Sequence, residues 1–392
     1  MFGISCPRFG TNNSNFLLAI LRFASARHFT SENLIHKKQS FTVSYLINSC
    51  GLAPKVAQSI SKWFQLTTPD NPDSVILFFK DQGFTASQIS KIVRIRPRVL
   101  RAKPNSSILP KLEFLRSVGA SSSDLSAIVS RNPDILVRHL VRHLIPFYDI
   151  LKRVLVTDEK VIRTLKRSSM YFPSMKDIFN VNLSLLTQIG MPQSGIAELV
   201  LKFPLAMCLN DVKFADKVKK IIEKGFDPTK RSFVMALGVF LQFSDTTWER
   251  KIEFYKMCGW SEDEILSILR KNPLSLAMSQ KSVTSKMDFL VGKMGWKPAD
   301  VAKLPVVLCC SLENRIMPRC LIARILLLKG LIKTNVPLSS LIVSSDERFM
   351  KTFVLKYKEE VPQLLDFFQG KVSFEELGFG FDENSSSSIR IV

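Results

Sequence analysis

The sequence lacks the motifs by which most enzymes are recognised. Its 392 residues contain no glycine-rich phosphate loop, no G-x-S-x-G elbow and no H-E-x-x-H helix. Histidine occurs four times, and His139 and His143 have the spacing of a helical metal site but no third ligand near them in the sequence. We therefore expect no catalytic residue, no metal and no cofactor, and we predict that the chain is not an enzyme.

Disulfide and membrane signals are missing as well. The seven cysteines form no C-x-x-C pair, so we expect reduced thiols, most of them in the core. The most apolar stretch, residues 321–332, is interrupted by Arg324 and Lys329 and is too short to cross a bilayer. No run of strict alternation is long enough for a sheet, which favours an all-α fold without a membrane segment.

Acidic residues are absent before Glu32. The preceding stretch contains Arg8, Arg22 and Arg27 among serines, asparagines and phenylalanines, a composition typical of an organellar transit peptide. We predict that residues 1–31 are such a peptide. The arginines around residue 21 favour the mitochondrion as destination, with the chloroplast as the alternative.

What the sequence does contain is a recurring pair, a glycine followed 14 positions later by a proline, on a period near 35 residues. The pairs are Gly83/Pro97, Gly119/Pro133, Gly190/Pro204 and Gly259/Pro273, and the glycine series continues with Gly225, Gly295 and Gly330. Such a period indicates stacked helical repeats. We predict an all-α, curved helical-repeat solenoid of about eight units of ~35 residues.

Each unit is expected to contain a long helix, a glycine corner, a shorter helix and a proline stop. In the unit at residues 78–100, Gly83 permits a left-handed helix end, and Thr85 with Gln88 forms a capping-box pattern. Pro97 lacks the amide hydrogen that a continuing helix needs, so the helix ends before it. The position three residues after each proline is apolar and is predicted to pack: Leu100, Leu136, Met207 and Leu276.

Some units depart from this pattern. The unit near residues 147–172 lacks the glycine, and Gly225 has no proline 14 positions later. Gly295 meets Pro305 after only 10 positions, which predicts a helix shorter by one turn. We expect the stack to tolerate these losses, because neighbouring units supply most of the burial energy.

Positive charge is in large excess. The chain carries 55 lysines and arginines against 34 acidic residues, a net charge of +21, and the whole excess lies before residue 346. Excess positive charge on an elongated scaffold is typical of a protein that binds a polyanion, although a solvated basic surface is the alternative.

Five segments repeat one pattern: IVRIRPRVL (92–100), IVSRNPDIL (128–136), LVLKFPLAM (199–207), ILRKNPLSL (268–276) and the late segment 294–319. They resemble the motif of the mitochondrial transcription termination factor (mTERF) family, and the segment FTVSYLINSCGL (41–52) resembles members of the land-plant type. The resemblance covers roughly residues 40–370. It implies a helical solenoid whose basic inner groove holds nucleic acid, with roles in organellar transcription, termination, intron splicing or ribosome assembly. It carries over no catalytic residue.

Candidate nucleic-acid contacts are the basic residues beside the proline corners and on the neighbouring helices. If the units superimpose, these side chains form a stripe that follows a phosphate backbone; a solvated convex face is the alternative. The candidates are Arg94, Arg96, Arg98, Arg101, Lys103, Arg131, Arg138, Arg142, Arg163, Arg167, Lys202, Arg270, Lys271, Arg315 and Arg319. The dense lysines at 217–224 spread around a helix and are expected to be solvated.

After the transit peptide we expect pre-repeat helices at 32–73, the repeat array at 74–345, capping helices at 346–381 and a disordered tail at 382–392. The expected function is non-enzymatic binding of double-stranded DNA in an organelle, to regulate transcription by termination or otherwise. One alternative is binding of structured RNA in intron splicing or ribosome assembly, and another is a protein-binding helical scaffold. Organellar transcription, splicing or ribosome-assembly proteins are candidate partners, and a monomer is expected.

Overall fold

The computed structural model describes residues 40–167, 175–333 and 336–372, and these residues contain helices and turns but no β-strand. The prediction of an all-α helical-repeat fold is confirmed. The predicted transit peptide at 1–31 and the predicted tail at 382–392 lie outside the described residues. The chain divides into two compact units, residues 1–176 and 177–392, which we call unit 1 and unit 2.

Unit 1 contains nine α-helices among its described residues. They are α1 (40–48), α2 (Pro54–Ser61), α3 (Asp70–Asp81), α4 (Ala86–Ile95), α5 (Leu109–Ser117), α6 (Ser122–Arg131), α7 (Asp134–Val137), α8 (Ile145–Leu155) and α9 (Asp158–Arg167). Longer and shorter helical segments alternate, and the longer segments that include α5 and α8 begin with π-helical turns at 104–108 and 140–144. The short helices α4, α6 and α9 pack on one another in a row.

Unit 2 continues the same alternation, and its first helix begins at the boundary with unit 1. The helices are α10 (Met175–Gln188), α11 (Gln193–Lys202), α12 (Asp211–Glu223), α13 (Arg231–Phe240), α14 (Asp245–Met257), α15 (Glu262–Lys271), α16 (Gln280–Met287), α17 (Pro298–Lys303), α18 (Met317–Leu328), α19 (Asp346–Phe349) and α20 (Leu364–Phe368). The short helices α11, α13, α15 and α17 again form a row.

The glycine corners have the geometry that the sequence predicts. Gly83 has φ +83°, its N–H donates to Lys80 O at 2.9 Å, and the next N–H, of Phe84, donates to Phe79 O at 2.9 Å. This is a Schellman motif, in which two carbonyls at the helix end gain partners. Phe84 is buried, which supplies the apolar contact that accompanies the motif. The same positive φ occurs at the other corner glycines and extends the series to Gly51 and Gly370.

The unit that lacks a glycine still makes the corner, with Val156 in its place. Val156 follows Gly119 by 37 residues and precedes Gly190 by 34. Its φ of 72° and ψ of −41° make it the one non-glycine residue with positive φ among the described residues. A β-branched side chain is strained in this conformation. The repeat therefore keeps its corner without a glycine, and the backbone at Val156 is strained.

The proline stops are confirmed where the pattern predicts them. Pro97 opens a tight helical turn at Pro97–Arg101, and equivalent turns follow at Pro204–Cys208, Pro273–Ala277 and Pro305–Cys309. After Pro133 the four-residue helix α7 takes this place. The apolar residues three positions after the first four prolines are fully buried, each contributing about 1.5–3 kcal/mol of burial energy. The helix α17, before Pro305, has six residues and is short, as the spacing predicts.

A ladder of buried or half-buried polar donors, which the sequence analysis missed, ties seven of the long helices to the following turn. Lys111 Nζ lies 2.6 Å from Leu136 O, and Asn182 Nδ2 lies 2.8 Å from Leu209 O. These carbonyls end the turns and have no partner within a helix, so the donors satisfy them. The donors with this role are Asn71, Lys111, Asn182, Lys217, Lys251, Lys286 and Arg319.

Two negative findings bear on function. Within the described ranges, no helix is long and apolar enough to cross a bilayer. Six of the seven cysteines fall in the described part of the chain, and all six are free thiols.

Candidate nucleic-acid interface

Five candidates lie close together in the sequence but do not form one surface patch. They are Arg94, Arg96, Arg98, Arg101 and Lys103. Arg94, on α4, lines a cleft beside the Gly51 corner together with Lys80 and Lys91. Arg98, in the turn after Pro97, lines a different cleft. Because α4 ends at Ile95 and the chain turns at the proline, side chains only four positions apart point to separate surfaces. The proline stop, which the sequence showed, therefore divides the cluster.

The second cleft joins two successive proline turns of unit 1. We call it the Trp63 cleft; its lining residues are Trp63, Arg96, Pro97, Arg98, Asp134, Val137 and Arg138. Arg96 donates from Nε to Asp134 Oδ1 at 2.5 Å and from Nη2 to Asp134 Oδ2 at 2.9 Å. This two-pronged pair orients both side chains and neutralises one guanidinium of the cleft. The sequence places Arg96 and Arg98 beside Pro97 and Arg138 beyond the next proline, and the structure brings all three together.

Five of the predicted contacts are exposed, and their side chains form no hydrogen bond or ion pair within the described part of the chain. All five belong to unit 1, although the sequence analysis distributed candidates over both units. They are Arg94, Arg98, Lys103, Arg142 and Arg167. An exposed cation without a protein partner can neutralise a phosphate without first breaking an internal contact.

Other candidates already serve the helical scaffold. Arg131 Nη1 donates to Arg167 O at 3.2 Å, at the end of α9, and Lys271 Nζ donates to Lys303 O at 3.3 Å, at the end of α17. Both cations lie two positions before a proline, and each caps the short helix of the next repeat, where its charge complements the helix dipole. The two cations therefore occupy equivalent positions in their repeats, as expected, and each links its repeat to the next one.

The remaining tied candidates have varied partners. Arg101 donates to Gln65 O and lies 4.7 Å above the Phe64 ring. The other contacts are Arg163 with Glu159, Lys202 with Glu198, Arg270 with Lys224 O, and Arg315 with Ile342 O and Ser344 O. A phosphate would have to compete with these contacts.

Arg319 is the candidate whose environment differs most from the expectation of a surface contact. Only 1% of the side chain is exposed, and its guanidinium donates to Leu341 O, Ser344 O and the Asp346 carboxylate while lying 4.6 Å above the Phe349 ring. Burial lowers its pKa, which the bond to Asp346 partly offsets. Arg319 has no route to a phosphate backbone in this structure, so we omit it from the proposed interface.

The expectation that the lysines at 217–224 are solvated is wrong for Lys217. It is 5% exposed, donates to Phe243 O at 2.8 Å and to Asp245 at 3.1 Å, and lies 4.5 Å above the Phe240 ring. Lys111 and Lys286 are buried in the same way. Several of the positive charges counted in the sequence are thus internal, and the surface available to a polyanion is less basic than the composition indicates.

Trp63 is a surface residue that the sequence analysis did not single out. It is 57% exposed, whereas the next residue, Phe64, is 2% exposed and belongs to the core. Two adjacent aromatic residues after a helix offer no periodic signal for which of them is buried. The only available signal is indirect. Because two adjacent aromatic side chains cannot both occupy one core position, the pair indicates that one of them is exposed, but not which one.

Acidic residues near the basic surface are held in ion pairs. The Lys166 ammonium, 2.5 Å from Asp124, together with Ser121 lowers the pKa of the Asp124 carboxyl to about 2. Lys152 similarly lowers the pKa of Asp158. Among the residues that the structure describes, no group of three or more histidine, cysteine or acidic side chains could hold a metal ion.

Comparison with known proteins gives these repeats a family. The family model mTERF matches residues 76–285 and 175–350. Similar proteins include transcription termination factor MTERF8, chloroplastic, of Arabidopsis thaliana, which is 23% identical over 66% of this chain and 51% of its own length. Transcription termination factor MTERF15, mitochondrial, of the same plant is 22% identical over 74% of this chain and 57% of its own. Human transcription termination factor 1, mitochondrial, is 24% identical over 45% and 38%.

The chain spans about half the length of the two plant relatives. The matched segments together run from residue 76 to residue 350, well over half of this chain, and they contain the proline turns after Pro97, Pro133, Pro204, Pro273 and Pro305. On that match, and on the corner-and-turn geometry beneath it, this protein belongs to the mTERF family.

Proposed function

We propose that the protein is a non-enzymatic nucleic-acid-binding regulator of gene expression in an organelle. Double-stranded DNA is the first ligand to test, and control of transcription, by termination or otherwise, is the process we favour. The relatives named above are transcription termination factors of chloroplasts or mitochondria, which supports both the process and an organellar location. The arginines before residue 32 favour the mitochondrion.

The observation that carries the proposal is the set of exposed cations in unit 1 that have no hydrogen-bond or ion-pair partner among the described residues. Arg94, Arg98, Lys103, Arg142 and Arg167 leave their charges to solvent, while the tied cations of both units support the repeats. Each phosphate that such a side chain neutralises releases counterions from the nucleic acid, so affinity falls steeply with salt. The titratable groups with altered pKa values that we describe above are held in ion pairs or in the core.

The test is a salt titration with matched variants. The triple variant Arg94→Ala, Lys103→Ala and Arg142→Ala removes three exposed cations that have no partner in the described part of the chain. We expect the slope of log affinity against log salt for duplex DNA to fall by up to about three, at ~0.9 per phosphate contact. Arg96 is kept because its loss would leave Asp134 without its partner.

The matched control removes three tied cations of unit 2, namely Lys202, Arg270 and Lys271. We expect this control to change the slope by less than one. Equal losses in both triple variants would show that binding does not depend on the exposed cations of unit 1 more than on the tied cations of unit 2. Failure to bind duplex DNA and structured RNA at low salt would overturn the proposal, and preference for structured RNA would move it to splicing or ribosome assembly.

A further inference from the structure

The Trp63 cleft combines an exposed aromatic face with an excess of positive charge. Arg96, Arg98 and Arg138 face a single carboxylate, Asp134, so the cleft carries a net charge of +2. Arg96 is bound to that carboxylate through two N–H groups. Arg98 is exposed and makes no hydrogen bond or ion pair with any described residue. A ligand for this cleft should therefore be anionic and should present a flat apolar face.

Trp63 differs from every other tryptophan of the chain. The side chain is 57% exposed, whereas Trp248, Trp260 and Trp296 are at most 9% exposed. Its own neighbour Phe64 anchors the segment in the core, and the two ring centroids are 6.3 Å apart. The buried neighbour fixes the segment, while the indole lines the cleft and stays exposed. A large exposed aromatic ring on an anchored segment is a surface on which another flat ring can stack.

We propose that the Trp63 cleft binds one unpaired nucleotide of a single-stranded nucleic acid, with the base stacked on Trp63 and the adjoining phosphate paired with Arg98. This rests on the proposed function and specifies it, because it names an unpaired nucleotide as the ligand of one cleft of unit 1. Indole rings stack with any base, since every base has a π-face, and a guanidinium grips a phosphate through two N–H groups. The cleft therefore selects for an accessible base rather than for a base sequence.

The chemistry favours an unpaired nucleotide over a duplex or a peptide. In a duplex both faces of each base are covered by neighbouring base pairs, so Trp63 would find only the backbone. The apolar groups of the cleft besides Trp63 are Pro97 and the half-exposed Val137, too few to bury the apolar side of a helix. The cleft volume of about 540 Å³ falls in the range of sites for small organic groups, as a nucleotide requires.

Tryptophan fluorescence tests the stacking directly in the full-length chain. Because the other three tryptophans are buried, quenching by acrylamide reports chiefly on Trp63, and Trp63→Phe should abolish most of it. Adding a ten-nucleotide single strand of RNA or DNA should quench the Trp63 emission and protect it from acrylamide. A blunt duplex of the same sequence should leave both signals unchanged. Uridine monophosphate tests whether a free nucleotide suffices.

Affinity measurements separate stacking from mere packing. Trp63→Ala should weaken single-strand binding by about five- to 140-fold, the range for loss of one stacked base. Trp63→Phe keeps a ring and should bind within about threefold of the wild type. Trp63→Leu keeps apolar bulk without a ring and should behave like the alanine variant. Arg98→Ala should reduce the single-strand salt slope by about 0.7.

The outcomes also distinguish this inference from the function on which it rests. If Trp63→Ala binds single strands like the wild type, or if the emission is unchanged at saturation, the cleft does not stack a base and the inference is overturned. Salt-dependent binding of duplex DNA that persists in that case leaves the proposed function standing. Quenching by an acidic aromatic peptide, but by no oligonucleotide, would assign the cleft to a protein partner and would also overturn it.

Discussion

The sharpest prediction for the scaffold concerns Gly238, which lies inside α13. A Cβ atom built on Gly238 would lie 2.1 Å from Cδ2 and 2.3 Å from Cε2 of the Phe203 ring. Ordinary carbon contacts lie near 3.5–4.0 Å, so the ring would have to retreat by about 1.5 Å. The glycine is therefore required because α13 and the end of α11 approach each other closely, and not because of any turn.

The cost of Gly238→Ala follows from two opposing terms. Alanine favours a helix interior over glycine by about 1 kcal/mol. Overpacking of a well-filled core costs about 1–3 kcal/mol, and here the clash involves three ring atoms of one rigid side chain, which places it at the upper end. We expect the variant to lower the free energy of unfolding by about 2 kcal/mol.

Gly195, in α11, provides the matched control. Its substitution by alanine brings the same gain in helix propensity, but the nearest atoms are Met191 Cε and Val234 Cγ2, both at 3.3 Å. The flexible methionine can move by the few tenths of an ångström required, because its side chain has several rotatable bonds. We expect Gly195→Ala to be neutral or to stabilise the protein by up to about 1 kcal/mol.

The assay is urea unfolding followed by helical circular dichroism, with the transition midpoints compared at equal slopes. Both substitutions remove a helical glycine and so change the unfolded chain in the same way, which leaves the folded contact as the difference between them. Gly238→Ala should unfold at lower urea than both the wild type and Gly195→Ala. If the two variants unfold at the same urea concentration, the close approach to Phe203 does not constrain the fold and the reasoning fails.

Three further predictions concern local strain and charge. Val156→Gly should raise the free energy of unfolding by about 1 kcal/mol, because relief of ~1–3 kcal/mol of backbone strain exceeds the entropy cost of a glycine; an unchanged urea midpoint would contradict this. Because the pKa of Asp124 is lowered, its pairing with Lys166 stabilises the fold above pH 3.8, and this stabilisation is lost as the pH falls through about 2. Asp124→Asn should lower the free energy of unfolding by ~1 kcal/mol at neutral pH, a value discounted for the exposure of Lys166, and should flatten the dependence of that free energy on pH between 5 and 2. Burial lowers the pKa of Lys111, so the free energy of unfolding of the wild type should rise as the pH rises toward 10.5. Lys111→Met removes the titrating group and the bond to Leu136 O and should lack this rise; if the wild type and the variant have the same dependence on alkaline pH, the assignment is refuted.

Local backbone rules explain why so much of the repeat was predictable. A glycine at a helix end and a proline 14 positions later each act on the φ and ψ of their own neighbours, so their effect does not depend on the rest of the fold. The capping boxes at Thr85, Ser121 and Ser261 are local in the same sense, and all three form. Even the unit without its glycine follows the repeat, because packing by the adjacent helices holds Val156 in the strained corner.

The identity of the free cations could not be predicted in this way. Arg98 and Arg101 lie in one turn, yet Arg98 faces solvent while Arg101 donates to Gln65 O, 36 residues earlier. In the sequence, Lys217 resembles any other lysine on an amphipathic helix. In the structure its ammonium donates to Phe243 O, and the side chain is buried. Whether a side chain is free depends on what lies opposite, and that is a property of the packed units.

By itself, the sequence determined the helical class, the position of most corners and stops, and the excess of positive charge, since these follow from backbone conformation and composition. Tertiary structure alone decided which charges face solvent. It buried Arg319, joined Arg98 and Arg138 in one cleft, and left Trp63 exposed beside them while Phe64 entered the core. The physical reason is that hydrogen bonds and burial involve partners far apart in the chain, and no repeat period specifies those partners.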